Sequence, residues 1–461
     1  MAYTFTTKED LVKFYVGKDI ADVPKPAAVL DVAIIRRHCE RMKRTVKELG
    51  VEFRAHVKTH KTIELTEMQV DKTQPSAKFI VSTLLEIETL FPLLQELKKS
   101  QQINVLYGIP LVPSHVRRLA ELAVKLGEKS VSVMIDHPDQ VSFLKGFFEI
   151  TGFPACVFVK VDTGYHRAGL PPISLNKNGL LERLADAEKE GYVFFLGLYS
   201  HSSLSYGAKT AAEAMGYLSN EIRGCKDALV RWRDLLPQNR ELIISVGATP
   251  QVASSNNLVP GAGAVSSTSA EAEELKALLR ESDANVTIEL HAGVYPVLDM
   301  QQVSTHARDG AGRLEEEIAL SIIAEVCSVY NDGEREKPEA LLAAGTLALA
   351  REPCASYPGW GVLSFWGLGE ESDGPRLIID RISQEHGIVG WESGDQKRLP
   401  LKVGQVVKVF PNHACVTGAF YRWYFVVDSD CESAESSSKV VDIWVRGGSA
   451  VTDPLLATRC Q

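Results

Sequence analysis

Short apolar runs alternate with amphipathic segments over roughly the first 300 residues of the chain. Eight runs rich in β-branched and aromatic residues fall between residues 51 and 293, and each has the length of a strand. They are VEFRAHVK, KFIVST, INVLYG, VSVMID, CVFVKVD, FFLGLYSH, LIISVG and VTIELHAG. Segments with apolar residues at helical spacing lie between them, for example LLEIETLFPLLQELKKS and VPSHVRRLAELAVKLG. Connections of this length suit crossover helices between parallel strands.

Eight strand–helix units in roughly 250 residues are what a (β/α)8 TIM-like barrel requires. An open, doubly wound sheet is the alternative, because periodicity alone does not show that a sheet closes. The count of eight favours the barrel. We therefore predict an α/β barrel domain over residues 22–305.

The pattern changes after residue 310. Strand-like segments follow one another without intervening helices and are broken by Gly, Pro and Asp, which is typical of an antiparallel β-domain. They are IALSIIAEVCSVYND, EALLAAGTLALA, GWGVLSFWGL, RLIIDRISQEHGIVGWES, QVVKVFPNHACVTGAFY, WYFVVD and VVDIWVRGG. We assign residues 306–461 to this domain, together with the N-terminal segment 1–21, and predict that DCESAESSSK is a solvated loop or a flexible insertion.

Composition narrows the functional class. The 461 residues are 45% hydrophobic and 24% charged, as in an ordinary globular protein. A net charge of −9 argues against nucleic acid or an anionic membrane as a partner. We find no apolar run long enough for a membrane span and no secretory signal. The eight cysteines lack paired spacing, so we expect reduced thiols and a cytoplasmic protein.

Candidate chemistry lies at the strand ends, since active residues of such barrels gather at the carboxyl ends of the strands. The first strand ends at Lys58, between His56 and His60. Later strand ends supply further polar groups: Asp162, His166, Arg167, Tyr199, His201, Tyr206, His291, Gly293, Tyr295 and Asp299. Lys58 taken singly would be a solvated charge, and His201 could be a hydrogen-bonded core histidine.

Two late loops, SVGATP and HAGVYP, contain small residues that let backbone N–H groups approach an anion. Gly247 and Gly293 could simply be turn residues. Phosphate sites after strands seven and eight recur in this barrel, however, and Thr249 adds a hydroxyl. A lysine facing a phosphate pocket suggests a Schiff base with pyridoxal phosphate.

A second candidate site lies in VFPNHACVTG. On an extended segment, His413 and Cys415 would project from one face. Imidazole and thiolate are ligands that suit zinc. Two donors are a weak signal by themselves, and a buried cysteine beside a turn histidine is the alternative.

The motifs RAHVKTHK, DTGYHRAG, LYSHSSLSY, SVGATP, HAGVYPVLD and PNHAC together resemble the D-serine dehydratase and D-threonine aldolase family. The resemblance covers nearly the whole chain. It implies an alanine-racemase-like fold, a fold type III pyridoxal-phosphate enzyme, and a D-amino acid as the small-molecule substrate. It also implies a homodimer.

The resemblance assigns roles to residues. It implies that Lys58 is the catalytic lysine that binds the cofactor, that Arg167 borders the cofactor ring and that His201 packs on or beside it. It implies a zinc ion on His413 and Cys415, which leaves open positions for water and substrate. The full predicted set at the cofactor is Lys58, Arg167, Tyr199, His201, Gly247, Ala248, Thr249, Gly293 and Tyr295.

The expected reaction is elimination of water from D-serine, which gives pyruvate and ammonia. A D-threonine aldolase would use the same lysine, but family members of that kind resemble this pattern with a carboxylate in place of Cys415. A 3-hydroxy-D-aspartate dehydratase differs in its substrate by one carboxylate and stays open. Alanine racemase would need a tyrosine base that we do not assign here. A non-catalytic pyridoxal-phosphate carrier would resemble the barrel alone, and the β-domain argues against it.

Overall fold

The computed structural model describes residues 7–259, 265–280, 285–364, 366, 375–394, 396–431 and 433–448. The strands in these residues are β1 Ala27–Asp31, β2 Glu52–His56, β3 Ser76–Val81, β4 Gln102–Pro110, β5 Val131–Ile135, β6 Ala155–Val161, β7 Val193–Ser200, β8 Leu242–Val246, β9 Val286–Ala292, β10 Leu320–Tyr330, β11 Glu339–Leu342, β12 Gly361–Leu363, β13 Leu377–Ile382, β14 Gly387–Trp391, β15 Val406–Pro411, β16 Trp423–Val427 and β17 Asp442–Val445.

The α-helices in the same residues are α1 Lys8–Tyr15, α2 Val32–Leu49, α3 Ile63–Gln69, α4 Leu84–Leu97, α5 Val116–Leu126, α6 Pro138–Thr151, α7 Leu180–Lys189, α8 Ala211–Arg231, α9 Thr249–Ser254, α10 Ala270–Arg280, α11 Met300–Val303, α12 Leu314–Glu317, α13 Thr346–Leu349, α14 Ala414–Gly418 and α15 Ala434–Ser437.

The chain divides into two compact units. The barrel unit comprises residues 40–293 and 305–310, and the β-unit comprises the residues up to 39, 294–304 and from 311 onward. This division differs from the domain boundaries that we predicted from the sequence. Residues 22–39 and 294–304 belong to the β-unit. For the first of these segments the reason is that β1 pairs with strands of that unit and not with the barrel strands.

Strands β2 to β9 form a closed parallel barrel, which confirms the predicted (β/α)8 fold. All eight predicted strands are present. The ring closes where β2 pairs in parallel with β9, with Arg54 opposite His291. Every residue of β5 and β6 is buried, as expected for parallel strands that are covered on both faces.

A charged network occupies the barrel interior. The Arg54 guanidinium donates to Glu289 at 2.6 Å and to the Asn104 side chain at 2.7 Å, and the Lys78 ammonium lies 3.0 Å from Glu289. Burial raises the pKa of Glu289, but Arg54 and Lys78 outweigh it and lower that pKa to about 2. Four strands, β2, β3, β4 and β9, are therefore joined by side chains as well as by the backbone ladder.

The β-unit is built on a nine-stranded sheet. Its strand order is β11-β14-β13-β12-β15-β10-β1-β16-β17, and a further pairing of β10 with β11 joins six of these strands into a ring. The pairings are antiparallel apart from β1 with β16, which is parallel. The antiparallel β-domain is thus confirmed, with one parallel strand pair, β1 with β16, that the sequence pattern does not indicate.

Three segments of the β-unit differ from their predicted form. The second half of EALLAAGTLALA is the helix α13, since β11 ends at Leu342, Gly345 precedes the helix, and Ala and Leu are strong helix formers. The segment predicted as a strand through residue 421 leaves the sheet after Pro411, and α14 begins at Ala414. The predicted loop at 430–439 contains α15, which the Ser433 side chain caps.

Candidate active site

Lys58 lies two residues after β2 and is partly buried. Among the described residues its amine forms no ion pair and no hydrogen bond. The neighbouring basic groups are engaged elsewhere: Lys61 pairs with Glu86 at 2.8 Å, and the His60 ring contacts the side chains of Thr62 and Gln69. The sequence presents four similar groups here, and the structure leaves one amine uncompensated.

Three histidines of the barrel unit influence one another and Lys58. Burial lowers the pKa of His56 well below its usual value, and Lys58 and His291 lower it further. His201 is affected in the same way, by burial and then by His291 and Lys58. Burial is also the main reason that the pKa of His291 falls to about 3. All three rings are therefore neutral near pH 7.

The ring nitrogens of His201 and His291 have different environments. His201 Nδ1 lies 2.7 Å from the Gly247 carbonyl, so this nitrogen carries the proton and donates. His291 Nδ1 lies 3.2 Å from the Ser245 hydroxyl, and its buried Nε2 has no partner among the described residues. A buried polar atom without a partner costs free energy, which makes this nitrogen a candidate contact for a bound ligand.

Tyr199 packs beside these histidines. Its ring stacks on His291 with centroids 4.5 Å apart and planes 3° from parallel. The Lys160 ammonium lies 4.8 Å from the same ring. Burial, followed by the charge of Arg167, lowers the pKa of Lys160 to about 8. Lys160 is a buried amine that we did not single out in the sequence, although it lies on β6 in the motif VKVD.

Glu221 is a second buried polar residue whose role the sequence pattern does not indicate. This buried carboxylate of α8 accepts hydrogen bonds from the Ser202 N–H at 2.7 Å, the Gln251 amide at 2.9 Å and the Gly247 N–H at 3.2 Å. It therefore ties the loop after β7 to the loop after β8. The available signal was a glutamate on the apolar face of an amphipathic helix, four residues before the buried Cys225.

The two glycines of the predicted phosphate loops have packing reasons of their own. Gly247 has φ of +133°, and a Cβ there would lie 2.7 Å from the His291 carbonyl. A Cβ at Gly293 would lie 3.2 Å from the His56 carbonyl. Ala248 precedes α9 and Thr249 begins it, and both are buried. The phosphate site remains a prediction.

The other predicted cofactor residues are distributed as follows. Arg167 is exposed, with its guanidinium 5.3 Å from the Tyr165 ring. Its neighbour His166 pairs with Asp162 at 2.8 Å, so the structure gives that pair a local role in the loop. Tyr295 is buried and belongs to the β-unit.

His413 and Cys415 do not lie on an extended strand, and the predicted shared strand face is wrong. His413 is the residue before α14 and Cys415 is the second residue of that helix. The turn nevertheless brings their side chains into hydrogen-bond contact. Burial lowers the pKa of His413, but Cys415, Asp299 and Glu352 outweigh it and raise that pKa to about 9.

The surroundings of His413 are suited to a cation. Its Nδ1 is buried without a hydrogen-bond partner among the described residues, and the Glu352 carboxylate lies 3.6 Å away. No group of three or more His, Cys, Asp and Glu side chains in the described part of the chain has a metal-binding arrangement. The turn thus offers a metal ion two neighbouring ligand atoms, a ring nitrogen of His413 and the sulfur of Cys415.

Comparison with known proteins assigns the chain to a family. A model of the alanine racemase N-terminal domain matches residues 30–255, and a model of a serine dehydratase domain matches residues 319–427. The D-serine dehydratase of Schizosaccharomyces pombe is 34% identical, with 96% of each chain covered. The chain belongs to the D-serine dehydratase family. It is therefore a lyase, and its alanine-racemase-like fold implies pyridoxal phosphate.

Two further comparisons agree with this family. The D-serine dehydratase of Saccharomyces cerevisiae is 30% identical, covering 95% of this chain and 98% of the relative. A solved cysteine-to-alanine variant of D-threo-3-hydroxyaspartate dehydratase, in its metal-free form, has a TM-score of 0.71 at 23% identity and covers 93% of this chain and 99% of that one. The last likeness concerns the fold. The resemblance read from the motifs is confirmed.

None of the described helices is both long enough and apolar enough to span a membrane. The seven cysteines in the described residues are all free thiols.

Proposed function

We propose that this enzyme eliminates water from D-serine to give pyruvate and ammonia, with pyridoxal phosphate and zinc as its cofactors. The observation that carries the proposal is the Lys58 amine, which lies at a barrel strand end without a counter-ion and among neutral imidazoles. The D-serine dehydratases to which the chain is similar support the choice of substrate.

The barrel unit has residues that suit pyridoxal phosphate. The buried Nε2 of His291, which lacks a partner among the described residues, and the uncompensated Lys58 amine are the two groups that a polar aromatic aldehyde would satisfy. When bound, the cofactor supplies an electron sink for the charge released at Cα. Lys58 would hold it and then take the Cα proton of the substrate. The proposed contacts are Lys58, Arg167, Tyr199, His201, Gly247, Ala248, Thr249, Gly293 and Tyr295.

The neutral histidines have a specific use in this proposal. Cationic rings at His56 and His201 would compete for the substrate carboxylate. Because burial keeps both rings uncharged, Lys58 is the group near them that moves a proton. His201, held by the Gly247 carbonyl through Nδ1, presents Nε2 as an acceptor.

His413 and Cys415 would hold the zinc ion. The support is the nitrogen–sulfur donor pair, the unpartnered buried Nδ1 of His413 and the nearby Glu352 carboxylate. When bound, zinc supplies a Lewis acid for the β-hydroxyl, which is otherwise a poor leaving group.

The alternative functions are related reactions of the same family. A D-threonine aldolase breaks the Cα–Cβ bond, and the thiol at Cys415 argues for zinc over the harder metal of that reaction. A 3-hydroxy-D-aspartate dehydratase needs a cation for the second carboxylate of its substrate. Identity to the D-threo-3-hydroxyaspartate dehydratase of a Delftia species is 25%, below that of the D-serine enzymes.

The test is pyruvate release from D-serine, measured beside deuterium exchange at Cα. We expect Lys58→Ala to lose both activities and the visible absorbance of the bound cofactor. Lys61→Arg is the matched control, since it removes a primary amine three residues away and keeps the charge opposite Glu86. We expect this control to retain both activities.

Metal removal separates the two halves of the proposal. Chelation should leave the exchange at Cα intact and lower pyruvate release by several factors of ten, each worth about 1.4 kcal/mol of transition-state stabilisation. Full-rate pyruvate release by metal-free protein would rule out the zinc role. Release of glyoxylate-type or aldehyde products from a panel of D-3-hydroxy amino acids, with no pyruvate from D-serine, would favour the aldolase.

We also propose a cytoplasmic homodimer. The family resemblance supports the dimer, and the free thiols support a reducing compartment. Light scattering of the purified protein tests the first, and a mass near that of one chain would contradict it.

A further inference from the structure

Asp299 is a fully buried carboxylate of the β-unit that the proposed reaction does not use. It directly precedes α11, and its side chain has no exposed surface. Such a group is costly to bury unless both of its oxygens have partners. One oxygen accepts from the Gln302 N–H at 2.9 Å, which caps α11. The second oxygen makes a separate contact with the backbone of another segment.

That second oxygen reaches the proposed metal-binding turn. It accepts from the Ala414 N–H at 2.7 Å. Ala414 is the residue between His413 and Cys415, so the bond holds the peptide unit that joins the two donors. A parallel link runs beside it, since the Gln301 N–H donates to the Asn412 carbonyl at 3.1 Å.

Asn412 is itself fixed on the other side of the turn. Its amide donates to the carbonyls of Glu352 and Gly359, each at 2.9 Å, and its oxygen accepts from the Tyr357 hydroxyl. The backbone from 412 to 414 is therefore held from two directions, and Asp299 is the charged member of the set. Its negative charge also interacts with the His413 ring.

We propose that Asp299 is a positioning residue for the metal ligands His413 and Cys415. It does not contact the metal. By holding the Ala414 N–H it keeps the turn in the conformation in which imidazole and thiol point to one place, and its charge makes that place more favourable for a cation. Groups that orient ligands in this way change metal affinity by about 10- to 100-fold when they are replaced. This inference rests on the zinc site of the proposed function.

The variants separate this role from the cap of α11. Asp299→Ser keeps a good capping hydroxyl for Gln302 but is too short to reach Ala414 as well. Asp299→Asn keeps the size of the side chain and replaces one acceptor by a donor that faces an N–H group. Asp19→Asn is the matched control, because Asp19 caps the Ile20–Asp22 turn of the same unit through the Ala21 N–H.

The measurement is the dissociation constant for zinc, obtained by competition with a chromophoric chelator on the full-length, cofactor-loaded protein after metal removal. Cobalt provides a second readout, because its thiolate absorption band reports whether Cys415 is bound. We expect affinity about 10- to 100-fold weaker in both Asp299 variants and a weaker cobalt–thiolate band, with Asp19→Asn unchanged. The cofactor absorbance and the melting temperature of the metal-free protein should match the control in Asp299→Ser.

Two other results would overturn the inference in distinguishable ways. Zinc affinity equal to wild type in Asp299→Ser and Asp299→Asn would show that Asp299 is only a helix cap, while the zinc site stands. If the wild-type protein binds no zinc, or if Cys415→Ala binds zinc as tightly as wild type does, both the zinc site and this inference are wrong. If Asp299→Ser does not fold, Asp299→Asn alone decides the outcome.

Discussion

At the scale of single residues, two residues of the same type have different roles in the structure. His56 and His60 flank Lys58 symmetrically in HVKTHK. Both ring nitrogens of His60 are occupied by Thr62 and Gln69, so it supports the loop. His56 interacts with Lys58 and His291. A lysine among histidines indicated a reactive amine, but only the contacts show which histidine faces it.

A pH experiment tests the burial of His291. The pKa of this group is lowered from 6.5 to about 3 by burial, so the unfolded chain binds a proton below pH 6.5 that the folded protein does not. The free energy of unfolding therefore does not depend on this group above about pH 6.5, and it decreases as the pH falls from there toward about 3. By proton linkage the loss between pH 7 and pH 5 is about 2 kcal/mol.

The measurement is the free energy of unfolding of cofactor-free protein at both pH values. We expect His291→Asn to lose about 2 kcal/mol less than wild type over this interval. The exposed His386→Asn serves as the control and should follow wild type. Equal losses in His291→Asn and wild type would contradict a buried neutral ring.

At the scale of elements, loops are held by side chains from distant helices. The clearest case is Glu221, which projects from α8 and accepts from the backbone of Ser202 and Gly247. The loop after β7, which contains His201, and the predicted phosphate loop SVGATP after β8 are thus held by one carboxylate. Hydrophobic periodicity located α8 but gave no reason for its buried glutamate.

We expect Glu221→Gln to loosen the loops after β7 and β8, because the amide presents a donor to at least one backbone N–H. Losing a buried hydrogen bond to a charged group costs about 1.5–3 kcal/mol. Cofactor affinity should therefore weaken about 10-fold or more, as measured by titrating the apoprotein with pyridoxal phosphate. Glu213→Gln is the matched control on the same helix, where an exposed carboxylate accepts from the Lys209 N–H. Unchanged cofactor affinity in Glu221→Gln would show that this carboxylate does not support the cofactor site.

At the scale of the whole molecule, the barrel is closed by both its backbone and its interior charges. The Arg54–Glu289 pair lies across the β2–β9 junction, where the first and last barrel strands meet. Lys78 contributes a second cation from β3. A buried network of this kind is costly when one partner is removed, since the remaining charges stay buried.

We expect Glu289→Gln to destabilise the protein by about 3–5 kcal/mol, because it leaves Arg54 and Lys78 uncompensated. The measurement is the free energy of unfolding in urea. Glu52→Gln, which removes the exposed partner of Lys78, should cost under about 1 kcal/mol. A cost in Glu289→Gln no larger than in Glu52→Gln would show that the network does not hold the barrel closed.

The sequence by itself determined the barrel strands, the β-domain and the family. These are local properties: each strand is a run of apolar residues of the right length, and the motifs HVKTHK and PNHAC are contiguous. The sequence also singled out Lys58, His413 and Cys415 as candidates.

Only the tertiary structure decided where contacts join distant parts of the chain. Closure required β2 to pair with β9, which local periodicity does not report. The sequence pattern predicts an extended segment at His413, whereas α14 begins at Ala414, and the Ala414 N–H donates to Asp299, more than a hundred positions earlier in the chain. Glu221 acquired its role in the same way. A buried carboxylate is identified by the N–H groups that it accepts from, and those groups come together only when the chain has folded.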